Sequence, residues 1–138
     1  MARPHPSDLR PDLSRADAEP AMLAMAVPIL PGKLDQWRAV MHDLAGPRRD
    51  DWQAQRRRLG LRERLFLQHT PQGALAIVVL EGRDLPGAMH AIGTDIDEFS
   101  VWLRQQVLET EGLDLAAPPP GPLPELVADS GPLDRSAA

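Results

Sequence analysis

The sequence predicts a small α+β domain in the order strand, helix, strand, strand, helix, with a candidate short last strand. Three observations carry that order. An unbroken apolar run, Ala21 to Leu30, has strand length and is closed by Pro31-Gly32. Two strand-like runs flank Thr70-Pro71-Gln72-Gly73, which has the proline and glycine placement of a tight turn. Stretches with apolar residues at helical spacing follow the first and third of these strands.

Each element has its own signal. In the first strand, Ala, Met and Leu would also suit a buried helix, but Pro28 and then Pro31-Gly32 argue for a strand. Leu34, Trp37, Val40, Met41 and Leu44 then form a helical stripe, with Asp35, Gln36, Arg38 and Asp43 opposite. Gly46-Pro47 interrupts the helix, which resumes through Trp52 and Leu59 and stops at Gly60. Arg56-Arg57-Arg58 occupies its last turn, where cations complement the helix dipole.

Leu61–Thr70 and Ala74–Glu81 form the predicted hairpin. A short helix begins near Leu85-Pro86. A longer one follows, capped by Thr94 or Asp95, with the stripe Ile96, Phe99, Leu103 and Val107 and an end at Gly112. Pro118-Pro119-Pro120-Gly121-Pro122 is a stiff extended connector. After it, Pro124–Asp129 is the candidate last strand. Residues 1–20 and 130–138 read as tails around a domain at 21–129, because the proline-rich N-terminus has too little apolar surface to offset its ordering entropy.

The order is that of a ferredoxin-like α+β sandwich, in which helices cover one face of an antiparallel sheet. A sheet with its other face in water should alternate apolar with polar residues. The first and third strands do not: Leu75, Ile77 and Val79 point one way while Ala76, Val78 and Leu80 point the other. A second copy packed sheet against sheet is the simplest cover for the second face, and the proline-rich tails folded back are the alternative.

Composition removes several function classes. A net charge of −5 argues against nucleic acid as a partner, which favours a clustered basic surface. With no cysteine there is no disulfide, thiolate metal site or cysteine nucleophile. No stretch approaches the ~20 apolar residues of a membrane helix, and no signal-peptide pattern is present. The expected location is cytoplasmic. The dominance of Arg over Lys, with many Ala and Pro, points to a GC-rich bacterial source.

The element order and the two-faced apolar strands resemble the dimeric α/β-barrel superfamily, including its antibiotic-biosynthesis monooxygenase-like and stress-responsive barrel proteins. The resemblance spans residues 21–129. Within it, Val27-Pro28-Ile29-Leu30-Pro31-Gly32-Lys33 followed by Trp37 is similar to a group of actinobacterial proteins. So are Arg58-Leu59-Gly60, Leu67 to Gly73, and Leu113-Asp114-Leu115. The resemblance implies a homodimer and a small-molecule site. It assigns no catalytic residue, because the superfamily spans oxygenases, haem enzymes, lactone isomerases and proteins without known activity.

The second strand offers the expected site. If its Leu65/Leu67 face packs under the helices, Arg64, Phe66 and Gln68 turn toward the space between subunits and bind a small apolar metabolite. The plainer reading is an edge strand with solvated arginines. His69, at the strand end, is a candidate general base or a half-exposed surface group. His42 and His90 are read as helix-border residues, and either of them or His69 would serve as an axial ligand only in a haem-handling protein. No metal-ligand spacing is present and no cofactor is expected. The clusters Asp50-Asp51 and Asp95-x-Asp97-Glu98 fit helix caps. The function expected is a small-molecule-binding barrel, acting as a cofactor-independent monooxygenase or another metabolite-modifying enzyme. The alternatives are a non-catalytic structural or interaction module, or a haem-handling barrel.

Overall fold

A computed structural model describes residues 20–134. The tail expected at the N-terminus therefore lies outside the described residues except for Pro20, as do residues 135–138 of the C-terminal tail. Over the described residues the fold is α+β: an open, three-stranded antiparallel sheet with four helices.

Strand β1 (Ala21–Pro28) ends at its proline, and Gly32, with φ +79°, makes the left-handed turn into the first helix. Helix α1 (Leu34–Ala45) buries Trp37, Val40 and Leu44, as its stripe predicts. The break at Gly46-Pro47 separates it from α2 (Arg49–Arg58), which stops before Gly60. Strands β2 (Leu61–Thr70) and β3 (Gly73–Gly82) form the predicted hairpin, whose turn is closed by Thr70 Oγ1 donating to the Gly73 carbonyl at 2.8 Å.

Helix α3 (Leu85–Thr94) begins at an Asp84 cap that accepts from the Gly87 N–H. Helix α4 (Glu98–Glu111) ends on Gly112, which is left-handed at φ +66°.

The sheet order is β1-β3-β2, with β3 antiparallel to both neighbours. Its register sorts the side chains into two faces. Leu23, Leu80 and Glu63 stand in one row, and Met25, Val78 and Leu65 in the next. This face meets the helices: Trp37 of α1 packs against Ala76, and Leu85 and Met89 of α3 pack on Leu23, Val78 and Leu80. Helix α4 lies on α1 through Phe99 and Leu103 against Val40 and Leu44. Arg48 stacks over the Phe99 and Trp102 rings at 5.1 and 4.5 Å and pairs with Glu98, which ties the start of α2 to α4.

Among the described residues the other face carries no helix. Its rows are Ala24, Val79 and Arg64, then Ala26, Ile77 and Phe66, then Pro28, Leu75 and Gln68. Phe66 is 55% exposed there and Met22 52%.

Two local expectations are corrected. The cap of α4 is Asp97, whose carboxylate accepts from the Ser100 N–H and hydroxyl, rather than Thr94 or Asp95. Asp97 can fold back to the N–H three residues on, which leaves Ile96 outside the helix and 90% exposed. The candidate strand at 124–129 does not form. Pro118, Pro119, Pro120, Pro122 and Pro124 lack the N–H that a ladder needs, and Leu126 and Val127 remain 70% and 82% exposed.

Candidate functional site

A cavity of ≈ 760 Å³ lies between the helix-covered face of the sheet and the helices. Val78 and Leu80 of β3, Leu44 of α1, Met89 of α3, and Leu103 and Val107 of α4 give it apolar walls. The segment from Leu113 to Pro124 borders it. That segment is seated by Leu115, which packs with Leu61, Ala88 and Ile92. Gly93 permits the approach, since a Cβ there would stand 2.5 Å from the Leu115 carbonyl oxygen.

The charged side chains Arg56, Glu63 and Glu111 converge on this largely apolar space, with Asp114 also among its lining residues. Glu63 occupies the helix-side face of β2 between Leu61 and Leu65, so strand alternation alone turns it inward. Arg56 comes from the last turn of α2 and is 8% exposed. Its Nε and Nη2 donate to Glu63 Oε1 at 3.1 and 2.7 Å, and Trp52 Nε1 donates to the same oxygen at 3.3 Å.

A polar chain runs outward from this pair. Arg56 Nη1 donates to Gln55 Oε1 at 2.5 Å, Gln55 Nε2 to Ser100 Oγ at 2.8 Å, and Ser100 Oγ to Asp97 Oδ1 at 2.7 Å. Hydrogen bonds from both ends hold the guanidinium in place, and its carboxylate partner compensates its charge.

Glu111, the last residue of α4, accepts from Trp37 Nε1 at 3.0 Å through Oε1. Burial pushes its carboxyl up to about 7 from an ordinary 4.5. The Trp37 bond opposes the rise and the nearby Glu63 charge adds to it. Glu111 therefore exchanges a proton near neutral pH, which suits a general acid or base.

The residues singled out on β2 do not line this cavity. Arg64, Phe66 and Gln68 share the helix-free face, as their alternation predicts. Arg64 is exposed there and pairs with Glu81 at 2.6 Å. His69 belongs to the opposite alternation and lies exposed beside the hairpin turn, on a separate hollow of ≈ 330 Å³. The four thus do not form one site. Of the other histidines, His90 is exposed and borders the main cavity, and His42 is exposed on α1 away from it. Among the described residues no cluster of three His, Asp or Glu is placed to hold a metal ion, and no helix is long and apolar enough to cross a membrane.

The sequence does not single out Arg56, Glu63 or Glu111 as site residues, for physical reasons. Arg56 sits inside a run of three arginines that reads as solvated, and Glu111 looks like an ordinary helix-end residue. Glu63 did carry a signal: a carboxylate in the apolar alternation Leu61, Leu65, Leu67 has to be paired if that face is buried. Compared with protein-family models, with curated proteins and with solved structures, the chain finds no significant match.

Proposed function

We propose that the protein binds a small, largely apolar metabolite in the cavity between its sheet and helices, and that Glu111 moves a proton to or from it. The observation that carries this reading is the convergence of Arg56, Glu63 and Glu111 on an apolar space of ≈ 760 Å³. That size lies within the common range for ligand sites of roughly 300–1,000 Å³, and a few placed polar groups in apolar walls are what such sites use. The chemistry is cofactor-independent proton transfer of the kind a monooxygenase-like or other metabolite-modifying enzyme needs. Arg56 and Glu63 supply a fixed charged anchor, and Glu111 is the titrating group.

The assembly proposed with it is a homodimer in which two ferredoxin-like sheets pack through their helix-free faces as an α/β barrel. The antiparallel order β1-β3-β2 fits that arrangement. A half-exposed Phe66 in mid-strand beside Ile77 and Ala26 favours burial by a second sheet. Phe66 and Gln68 then belong to the contact between copies.

Native mass spectrometry of protein purified from its own host tests both parts. The expected result is twice the chain mass plus a retained small molecule, which Leu103→Trp expels by filling the cavity. A monomeric mass that acquires no small molecule from host extract would refute the reading.

A further inference from the structure

We infer that the cavity takes an organic ammonium, a protonated amine carried on an apolar body. This rests on the proposal that the cavity is a ligand site, and it is argued from the side chains at its polar end.

An anionic ligand would need a free cation there. Arg56 is the only Arg or Lys side chain among the described lining residues, and it is already engaged: Nε and Nη2 donate to Glu63 and Nη1 to Gln55. A carboxylate or phosphate would find only the two remaining N–H groups of a guanidinium whose charge Glu63 already balances, and would stand beside two other carboxyls.

What the cavity offers instead is acceptors. The three bonds to Glu63 all end on Oε1, and the Trp37 bond to Glu111 also ends on Oε1. Among the described residues no side-chain donor reaches Oε2 of either carboxyl, and no fully buried polar side-chain atom is left without a partner, so both Oε2 atoms keep some accessible surface. Both residues line the cavity, and Asp114, another lining residue, adds a further carboxylate. Carboxylates thus outnumber the guanidinium. A ligand ammonium supplies the missing charge and up to three N–H donors to those oxygens.

Glu111 is the group such a cation would act upon. Burial alone keeps its carboxyl protonated well above the ordinary carboxylate range, and Glu63 pushes in the same direction. An ammonium beside it reverses the balance, so binding should release a proton from Glu111 near neutral pH.

Three probes with one aromatic body separate the possibilities: tryptamine, tryptophol and indole-3-acetate. Each is titrated calorimetrically into the full chain and into Glu111→Gln, in two buffers of different ionisation enthalpy. Tryptamine should bind about tenfold or more tightly than tryptophol, and indole-3-acetate weakest. Tryptamine binding should release protons in the wild type only, and Glu111→Gln should remove most of the preference for the amine. Tryptophol or indole-3-acetate binding as tightly as tryptamine, or a preference unchanged in Glu111→Gln, overturns the selection of a cation and leaves the ligand cavity standing. Failure of all three to bind overturns the inference and counts against the cavity as a ligand site as well.

Discussion

Replacing Glu111 with glutamine should flatten the dependence of folding stability on pH between about pH 5 and about pH 8. In the native chain burial raises this carboxyl to about 7, whereas unfolding returns it to the ordinary 4.5. Between those values the native state holds a proton that the unfolded state does not. The contribution of the protonated carboxyl is therefore complete below 4.5 and is lost as pH rises through about 7.

The gap of about 2.5 pH units, at ~1.4 kcal/mol per unit, amounts to roughly 3 kcal/mol of stability lost across the window. Glutamine keeps an oxygen to accept the Trp37 N–H but has no proton to lose. Urea denaturation of both proteins across the window provides the measurement. The wild type should weaken with rising pH while Glu111→Gln stays level, so that the variant is the more stable protein at the alkaline end. Asp97 and Glu98 do not confuse the comparison. The Ser100 hydroxyl holds Asp97, and Arg48 holds Glu98, below their ordinary values, so their contributions are lost only on the acid side and in both proteins. Parallel stability curves for the two proteins would refute the placement of Glu111 in a poorly solvated site.

Arg56→Met should cost about 3–5 kcal/mol, because it leaves Glu63 buried without its cation, and adding Glu63→Leu should recover most of the loss; chemical denaturation of the single and double variants checks this. Asp97→Ala removes the α4 cap and the acceptor for the Ser100 hydroxyl. A loss of about 1–2 kcal/mol is expected by thermal unfolding. On the proposed pairing of sheets, Phe66→Asp should convert a dimer into a folded monomer in sedimentation, with helical and strand content retained by circular dichroism.

How much of this was legible beforehand follows from the range of the forces involved. The apolar run of β1, the Gly46-Pro47 break and the Thr70–Gly73 turn depend on neighbouring residues, so strands, helices and hairpin could be read directly from the sequence. Alternation along β2 likewise separated Arg64, Phe66 and Gln68 from Leu65 and Leu67, and the structure keeps that division. The end of α4 at Gly112 was local too. Its start was not, because Thr94, Asp95 and Asp97 are all competent caps and only the fold selects among them. The last strand failed for a similar reason: Leu126 and Val127 favour a strand by composition, but a strand needs a partner edge, and the preceding prolines hold the chain extended and solvated.

Apart from the last strand and the start of α4, the sequence by itself thus determined the elements, their order, and a sheet apolar on both faces, since each follows from spacing of 2 or 3.6 residues and from turn chemistry. Only the tertiary structure decided where the polar groups meet. Arg56, Glu63 and Glu111 come from α2, β2 and the end of α4, and no local pattern records that packing brings them to one cavity. Their chemistry depends on being out of water together, a property of the packed chain and not of any segment. For that reason a carboxyl unremarkable in the sequence is raised to about 7 once packing places it beside Trp37 and Glu63.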